Sequence, residues 1–509
     1  MAFSLSNVPL APDEHRRQTE GDVLRSLVDA LIAEDLFGFR SRGRIGSVAG
    51  ALYLPLEGDE RHVQVGLGQD AVVFRARPAV ALQPYRLSRP PVLLLGADGG
   101  GPVPLNPREL LDLVVSRLAE SRAPNLDEVL DGLELAVIHG AVLLEEDGRW
   151  GRVRSAARPT ALDWEALTAV GDRPFHPTGR ARHGWDRARY RRYSAVGDGP
   201  VALDWVAVRA DHLESGSVER LADALALAHA TRLPEGERPE SPPLPDRPPS
   251  PADALLSADE RLLLESAVAE AGVDGSDHVV LPVHPWQRAH VLPDVFSAEW
   301  RSGVCVPVAS GLGAFWPTAS TRTMAPAGGT SPAAVHVKLP VGITTLGALR
   351  LLPPRYLANG ARAQRLLESA AERHPALQNR LSVCDEQAWW AFAVPGGDGA
   401  YDDKPGHLGC LLRVWPDPDT TCSGSGSHRG LVPLGALGVV LPDGSAPGLT
   451  RLIAERGHDP ADPAAALDVF DDVASVVSEV ALACFGLGFM PELHGQNAVL
   501  ACEGGRVAG

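Results

Sequence analysis

The chain has 509 residues, 45% of them hydrophobic, and a formal net charge of −17 at pH 7. That length is too great for one small core and predicts two or three subdomains. The acidic balance excludes broad electrostatic binding to nucleic acid or to an anionic membrane, so an anionic ligand has to be met by a local basic pocket.

The N-terminal stretch MAFSLSNVPLAPDEHRRQTEGD has no basic region followed by an apolar core. No uninterrupted apolar run approaches the roughly 20 residues of a membrane span, and a cytoplasmic protein is expected. The six cysteines (Cys305, Cys384, Cys410, Cys422, Cys484 and Cys502) form no CxxC pair, so neither a zinc knuckle nor a disulfide framework is indicated.

From Thr19 to Phe37, Val23, Leu24, Leu27, Leu31 and Ile32 recur with the spacing of an amphipathic helix. Short alternating stretches at Val48 to Leu54, Val63 to Leu67 and Ala71 to Phe74 predict a small antiparallel sheet. Helical patterns return at Pro107 to Ser121 and Leu126 to Leu144. The loop Arg173 to Gly184 then concentrates three arginines and two histidines, which reads either as an anion-binding lid or as a solvated basic turn. A buried strand at Val201 to Val208, a helix at Ser217 to Ala230 and a proline-rich linker from Pro234 to Pro251 follow.

Ser257 and Glu260 form a capping box that opens a helix from Ala258 to Ala271. A strand from Asp277 to Val283 runs into His284-Pro285-Trp286-Gln287, where the proline ends it. Ser320, Thr321, Arg322 and Thr323 gather hydroxyls and one cation, a set able to hold phosphate or carboxylate oxygens but also compatible with an ordinary Ser/Thr turn.

In Val335 to Arg350 the strand period puts Val335, Val337, Leu339 and Val341 on one face and His336 and Lys338 on the other, an apolar back with a cationic front. The same segment ends in Arg350; an edge strand with a solvated lysine remains the plain alternative. A helix at Ala361 to His374, a strand at Leu408 to Val414 carrying Arg413 and a flexible loop at Thr420 to Arg429 come next. A long helix is expected with Leu467, Phe470, Ala474, Val477, Ala481 and Cys484 as its apolar face. After it Glu492, His494, Gln496 and Asn497 fall within six residues, a group costly to bury unless paired and therefore a candidate site.

Taken together, HPTGRARHG at 176 to 184, HPWQ at 284 to 287, STRT at 320 to 323, the Lys338 to Arg350 strand segment and ELHGQN at 492 to 497 resemble the IucA/IucC-type siderophore synthetases, in the order of that family's motifs. The resemblance covers about residues 165 to 501. It implies an α+β fold of cupped-hand form with antiparallel sheets and a helical palm: a thumb at 1–160, fingers at 161–360 and a palm at 361–509. It implies an enzyme that uses ATP and Mg2+ to adenylate a carboxylate of citrate or a related acid, then passes it to an amine or alcohol. Small molecules are the expected partners, with no nucleic acid and no membrane, and a homodimer is compatible with the resemblance.

By the same resemblance Ser320, Thr321, Arg322 and Thr323 bind the ATP phosphates, and Lys338 and Arg350 meet the triphosphate and the acyl phosphate. Gln496 and Asn497 lie near the nucleotide and Glu492 near magnesium, with His494 as a base; His176 and Arg182 belong to the lid loop near the phosphates, His176 and Arg180 meet the substrate, and His284 and Gln287 support the pocket and meet the substrate. Three departures stand out. Arg173 occupies the place of the family's first lid histidine, and Val414 follows Arg413 where the family has an acid. The family's Arg-Asp pair beyond HGQN is not found before Gly509. A palm that is short at its C-terminus, or a magnesium ligand drawn from elsewhere, is therefore expected. Another ATP user forming ADP, such as an ATP-grasp ligase or a small-molecule kinase, and an impaired family member acting as a binding protein are the alternative readings.

Overall fold

The computed structural model describes residues 13–46, 53–79, 83–97, 101–145, 149–173, 176–197, 199–231, 248–327, 335–378, 380–396, 404–416, 429–441 and 444–509. Several expected features fall outside them: most of Val48 to Leu54, the bulk of the 234–251 linker, Pro174 and Phe175 of the basic loop, and most of the 420–429 loop. The chain divides into two compact units, one of Met1–Asp147, Asp172–Arg191 and Ile343–Ala348, the other of Gly148–Gly171, Arg192–Gly342 and Leu349–Gly509.

The first unit is built on a five-stranded antiparallel sheet in the order β1-β2-β3-β4-β5, with β1 Gly43–Ile45, β2 Arg61–Leu67, β3 Asp70–Pro78, β4 Tyr85–Leu95 and β5 Val103–Leu105. The helix Asp13–Ala33 presents Val23, Leu24, Leu27, Val28, Leu31 and Ile32 to this sheet, as the helical period requires. The helices Pro107–Leu118 and Leu126–Leu143 add Leu110, Val114, Leu130 and Leu133 to the same core. Asn106 and Glu109 close a capping box at the start of the former.

The second unit is organised by an eight-stranded sheet in the order β7-β14-β15-β11-β10-β9-β6-β8. Its strands are β6 Val201–Arg209, β7 Leu213–Ser215, β8 His278–Val283, β9 Cys305–Pro317, β10 Thr323–Pro326, β11 Val335–Lys338, β14 Asp385–Phe392 and β15 Gly409–Val414, and the paired neighbours run antiparallel. The main core lies on one face of it and includes Trp205, Leu281, Phe315, Met324, Val335, Val337, Trp390 and Leu412. A hairpin of β12 Val341–Thr345 and β13 Ala348–Arg350 carries the chain between the units, and β16 Arg429–Pro433, β17 Val499–Glu503 and β18 Arg506–Val507 form a small sheet. Ser257 and Glu260 make the expected capping box.

Two expectations are corrected. The segment Val335 to Arg350 is not one rail: β11 stops at Lys338, Leu339-Pro340 interrupts it, and Arg350 sits on β13. Proline has no N–H to continue a ladder, which explains the break.

The second correction concerns the helix Pro463–Gly486, whose buried positions are Ala465, Val469, Val476, Val480 and Cys484. Leu467 and Phe470, assigned to the core side, are 62% and 65% exposed. This helix is apolar around most of its circumference, so periodicity alone picks a stripe without saying which one is covered. Among the described residues no helix is long and apolar enough to cross a membrane, and Cys305, Cys384, Cys410, Cys484 and Cys502 are free thiols.

Candidate active site

The site is written into the register of the large sheet. Thr323 of β10 pairs with Lys338 of β11, and His336 of β11 pairs with Arg413 of β15. Directly paired residues share a face, as do i and i+2 along a strand. Thr323, Lys338, His336 and Arg413 therefore stand on one face, while their neighbours Met324, Val335, Val337 and Leu412 lie in the main core on the other. The apolar back and cationic front read from the sequence are both present.

On the polar face Arg413 donates from Nε to Glu386 of β14 at 2.6 Å. Burial raises the Glu386 carboxyl, but Arg413 and Lys338 outweigh it and hold the group below the usual carboxylate range. Burial, against the pull of Glu386, pushes the Lys338 ammonium down to about 8, with Arg322 and Arg413 acting in the same direction. Arg322 is pushed down to about 10 by burial and then by the positive charges of Arg350 and Arg413. Three cations thus share the Glu386 carboxylate, and each lowers the cost of bringing in a further anion.

The STRT segment is a tight turn between β9 and β10. Ser320 Oγ accepts from the Thr323 N–H at 3.1 Å, and Arg322 donates from its guanidinium to the Leu351 carbonyl at 2.7 Å. Thr321 sits at φ +69°, a left-handed conformation that β-branched residues rarely adopt. His336 does not face an open cleft. It is buried, accepts from the Trp415 indole N–H at 3.0 Å, and is pushed down to about 3 by burial and by Arg413, so it is neutral.

The 492–497 segment is fixed by a close approach of two glycines. The Gly435 N–H donates to the Gly495 carbonyl at 2.8 Å, and a Cβ on Gly495 would lie 2.9 Å from the Gly435 Cα, so neither position tolerates a side chain. Asn497 donates to Glu492 at 3.1 Å, His494 Nε2 lies 3.5 Å from Glu492, and His494 Nδ1 accepts from the Gln496 N–H at 3.2 Å. The Glu492 charge acts on Lys338, which ties this segment electrostatically to the sheet face. Among the described residues no group of three or more His, Cys, Asp or Glu forms a metal cage.

His284 and Gln287 are fully buried supports rather than surface ligands. His284 caps the helix Pro285–His290 by accepting from the Trp286 N–H at 3.1 Å, and its ring packs edge-on to Tyr193. Gln287 donates to the His407 carbonyl at 3.0 Å and accepts from the Gly342 N–H at 2.6 Å.

In the other unit, Arg182 is buried and turned back on its own loop, donating to the Gly179 carbonyl at 2.7 Å and to Asp172 at 3.1 Å. Arg180 faces Tyr190, Asp172 and Asp22. His176 is exposed, 3.3 Å from the Thr178 hydroxyl.

The carboxylate of Glu386 escaped the sequence reading, and Arg413 was noted as a strand residue matching a family arginine, with no role in the site. Glu386 is the second residue of a strand that turns apolar after it (DEQAWWAF), and Arg413 is the last but one of an apolar strand (GCLLRV). A charge near the end of each of two apolar strands was the available signal, but only the pairing of β14 with β15 makes them partners.

Residues 160–438 match the model of the IucA / IucC family. The chain belongs to the IucA/IucC family. It is 29% identical to staphyloferrin B synthase of Staphylococcus aureus over 487 residues, which is 95% of this chain and 73% of that protein. Its fold is similar to that of the petrobactin biosynthesis protein AsbB of Bacillus anthracis, with a TM-score of 0.71 at 16% identity over 97% of this chain and 72% of that one. It is similar also to ATP-bound aerobactin synthetase IucA from Klebsiella pneumoniae, with a TM-score of 0.67 at 17% identity over 95% of this chain and 77% of that one. The α+β architecture with antiparallel sheets expected from the sequence is that of IucA/IucC structures, and the family includes siderophore synthetases.

Proposed function

We propose that this protein is a cytoplasmic siderophore synthetase that adenylates a carboxylate of citrate or a related polycarboxylic acid with ATP and transfers the acyl group to an amine or alcohol, releasing AMP and pyrophosphate. The observation that carries the reading is the register-fixed face on which Thr323, Lys338 and Arg413 stand, with Arg322 alongside and Glu386 as the shared counter-ion. It is supported by the names of the relatives, a synthase of a siderophore and an ATP-bound synthetase among them. Thumb, fingers and palm at 1–160, 161–360 and 361–509 remain the proposed division of labour.

In this reading Arg322, Lys338 and Arg350 neutralise phosphate oxygens, whose charge grows as a carboxylate oxygen attacks the α-phosphorus and the bond to pyrophosphate breaks. Ser320, Thr321 and Thr323 supply hydroxyls to the same oxygens. The hydroxyl of Ser320 is already oriented by the Thr323 N–H. No nucleophilic side chain is required. In the second half-reaction an amine attacks the acyl carbon and AMP leaves; His494 is assigned, through the motif resemblance alone, as the base where the nucleophile is an alcohol.

Mg2+ asks for one or two carboxylates and completes its shell with phosphate oxygens and water. The exposed carboxylate of Glu492, steadied by Asn497, fits that demand, and the ion would add charge neutralisation at the phosphates. Gln496 and Asn497 are assigned to the nucleotide. His176, Arg180 and Arg182 enter through the motif resemblance alone, as do substrate contacts for His284 and Gln287, whose observed bonds are structural.

The test is carboxylic-acid-dependent pyrophosphate release across a panel of polycarboxylates. Arg322→Ala and Lys338→Ala should each reduce it by at least about a hundredfold, the loss typical of one preorganised charge-stabilising group. Full turnover in both variants would refute the assignment.

A further inference from the structure

The turn that carries Ser320 and Arg322 is completed by a carboxylate from a distant part of the chain. Most of its backbone amides are satisfied from within. The Thr318 N–H donates to the Thr323 carbonyl at 2.9 Å, Thr321 to the Thr318 carbonyl at 3.0 Å, and Arg322 to the Ser320 carbonyl at 2.8 Å. The Ser320 N–H donates to the Thr318 hydroxyl at 3.4 Å and the Thr323 N–H to the Ser320 hydroxyl at 3.1 Å. The amide of Ala319 looks outward instead, and donates to Oε2 of Glu165 at 3.1 Å, across 154 residues of sequence.

Glu165 is held independently of the turn. Its helix, Ala161–Gly171, begins at a reciprocal pair in which Asp163 accepts from both the N–H and the hydroxyl of Thr160 at 2.8 Å. Trp164, Ala166, Leu167 and Thr168 on either side of Glu165 are buried. Core packing therefore sets where the carboxylate stands, and the turn is fastened to it. A fastening is needed, because the left-handed Thr321 is a conformation that persists only where its surroundings over-determine it. The carboxylate also faces Arg413, whose guanidinium is bonded to Glu386.

We propose that Glu165 is a positioning residue for the phosphate-binding turn: by accepting the Ala319 N–H it fixes the place of Ser320 and Arg322 against the polar face of the sheet. Its functional half rests on the ATP-dependent reading above, while its structural half does not. The role is that of a hydrogen-bond acceptor, so Glu165→Gln, whose amide oxygen accepts the same bond, retains it and Glu165→Ala loses it.

Two readouts test this on the full chain. In hydrogen–deuterium exchange, a peptide spanning Trp316 to Met324 should exchange about tenfold faster in Glu165→Ala than in wild type and unchanged in Glu165→Gln, as expected for loss of one hydrogen bond that either an acid or an amide oxygen can accept. In steady-state kinetics, Glu165→Ala should raise the KM for ATP by about tenfold, with Glu165→Gln within about threefold of wild type. Wild-type exchange in Glu165→Ala overturns the anchor. An unchanged KM for ATP in that variant overturns its functional half, and equal impairment of Glu165→Gln overturns the acceptor role. If the wild-type protein neither binds nor consumes ATP, the synthetase reading fails while the exchange result still decides the anchor.

Discussion

Lys338 provides the sharpest test of the electrostatics. Burial together with Arg322 and Arg413 pushes it down to about 8 from an ordinary 10.5, despite Glu386 and Glu492. At pH 8 the unliganded protein is then about half protonated at this position. A polyphosphate beside the ammonium favours the charged form and restores the higher value, so binding ATP at pH 8 should take up about half a proton. Above pH 8 the affinity for ATP should fall by up to about tenfold per pH unit, until the pKa of the bound state is reached. Calorimetry in two buffers of different ionisation enthalpy measures the uptake, and Lys338→Arg, which keeps its proton throughout, provides the reference.

The same depressed value has a consequence for folding. Because the folded pKa lies below the unfolded one, the native state releases its proton first. Between about pH 8 and 10.5 the unfolded chain binds more protons, and the contribution of Lys338 to stability grows with pH, by on the order of 3 kcal/mol at most. Proton uptake equal in wild type and Lys338→Arg, with the same pH dependence of ATP affinity, would refute the reasoning.

Other outcomes follow from particular contacts. Glu386→Gln removes the counter-ion shared by Arg413, Lys338 and Arg322. It should lower stability by a few kcal/mol, and pyrophosphate should raise the melting temperature of the variant more than that of wild type. Gln287→Leu removes the acceptor of the Gly342 N–H and a donor to the His407 carbonyl and should cost about 1–3 kcal/mol in denaturant unfolding. On the helix Pro463–Gly486, Val469→Asp should cost several kcal/mol by burying an unpaired carboxylate, whereas Phe470→Asp should change stability by less than about 0.5 kcal/mol in this chain. The reverse order would restore the apolar face expected from periodicity.

What the sequence made legible was whatever has a local period or a local bond. The helix Asp13–Ala33, the Ser257 capping box and the two-faced strand around Lys338 all depend on neighbours within a few residues, so their patterns could be read directly. The site was legible as far as its motifs are contiguous: STRT, the Lys338 strand and HGQN each bring their own residues together.

Glu165, Glu386 and Arg413 were not assigned, because their partners are fixed by strand register and by a helix 154 residues from the turn it holds. The lid arginine Arg182 shows the limit from the other side. A cation in a Gly-rich loop reads as a ligand group, but here its guanidinium is occupied by Asp172 and by carbonyls of its own loop. The long C-terminal helix failed for a third reason, an apolar composition that leaves no contrast from which to choose a buried stripe.

The central claim is AMP-forming chemistry on the polar face of the large sheet. Its most direct test is the identity of the nucleotide product when the protein is supplied with ATP, Mg2+, a polycarboxylic acid panel and a diamine or hydroxylamine, read by chromatography or phosphorus NMR. The account predicts AMP and pyrophosphate in equal amounts, dependent on the acid and lost in Lys338→Ala. ADP and inorganic phosphate formed in an acid-dependent reaction, or no nucleotide turnover with any acid, would contradict it.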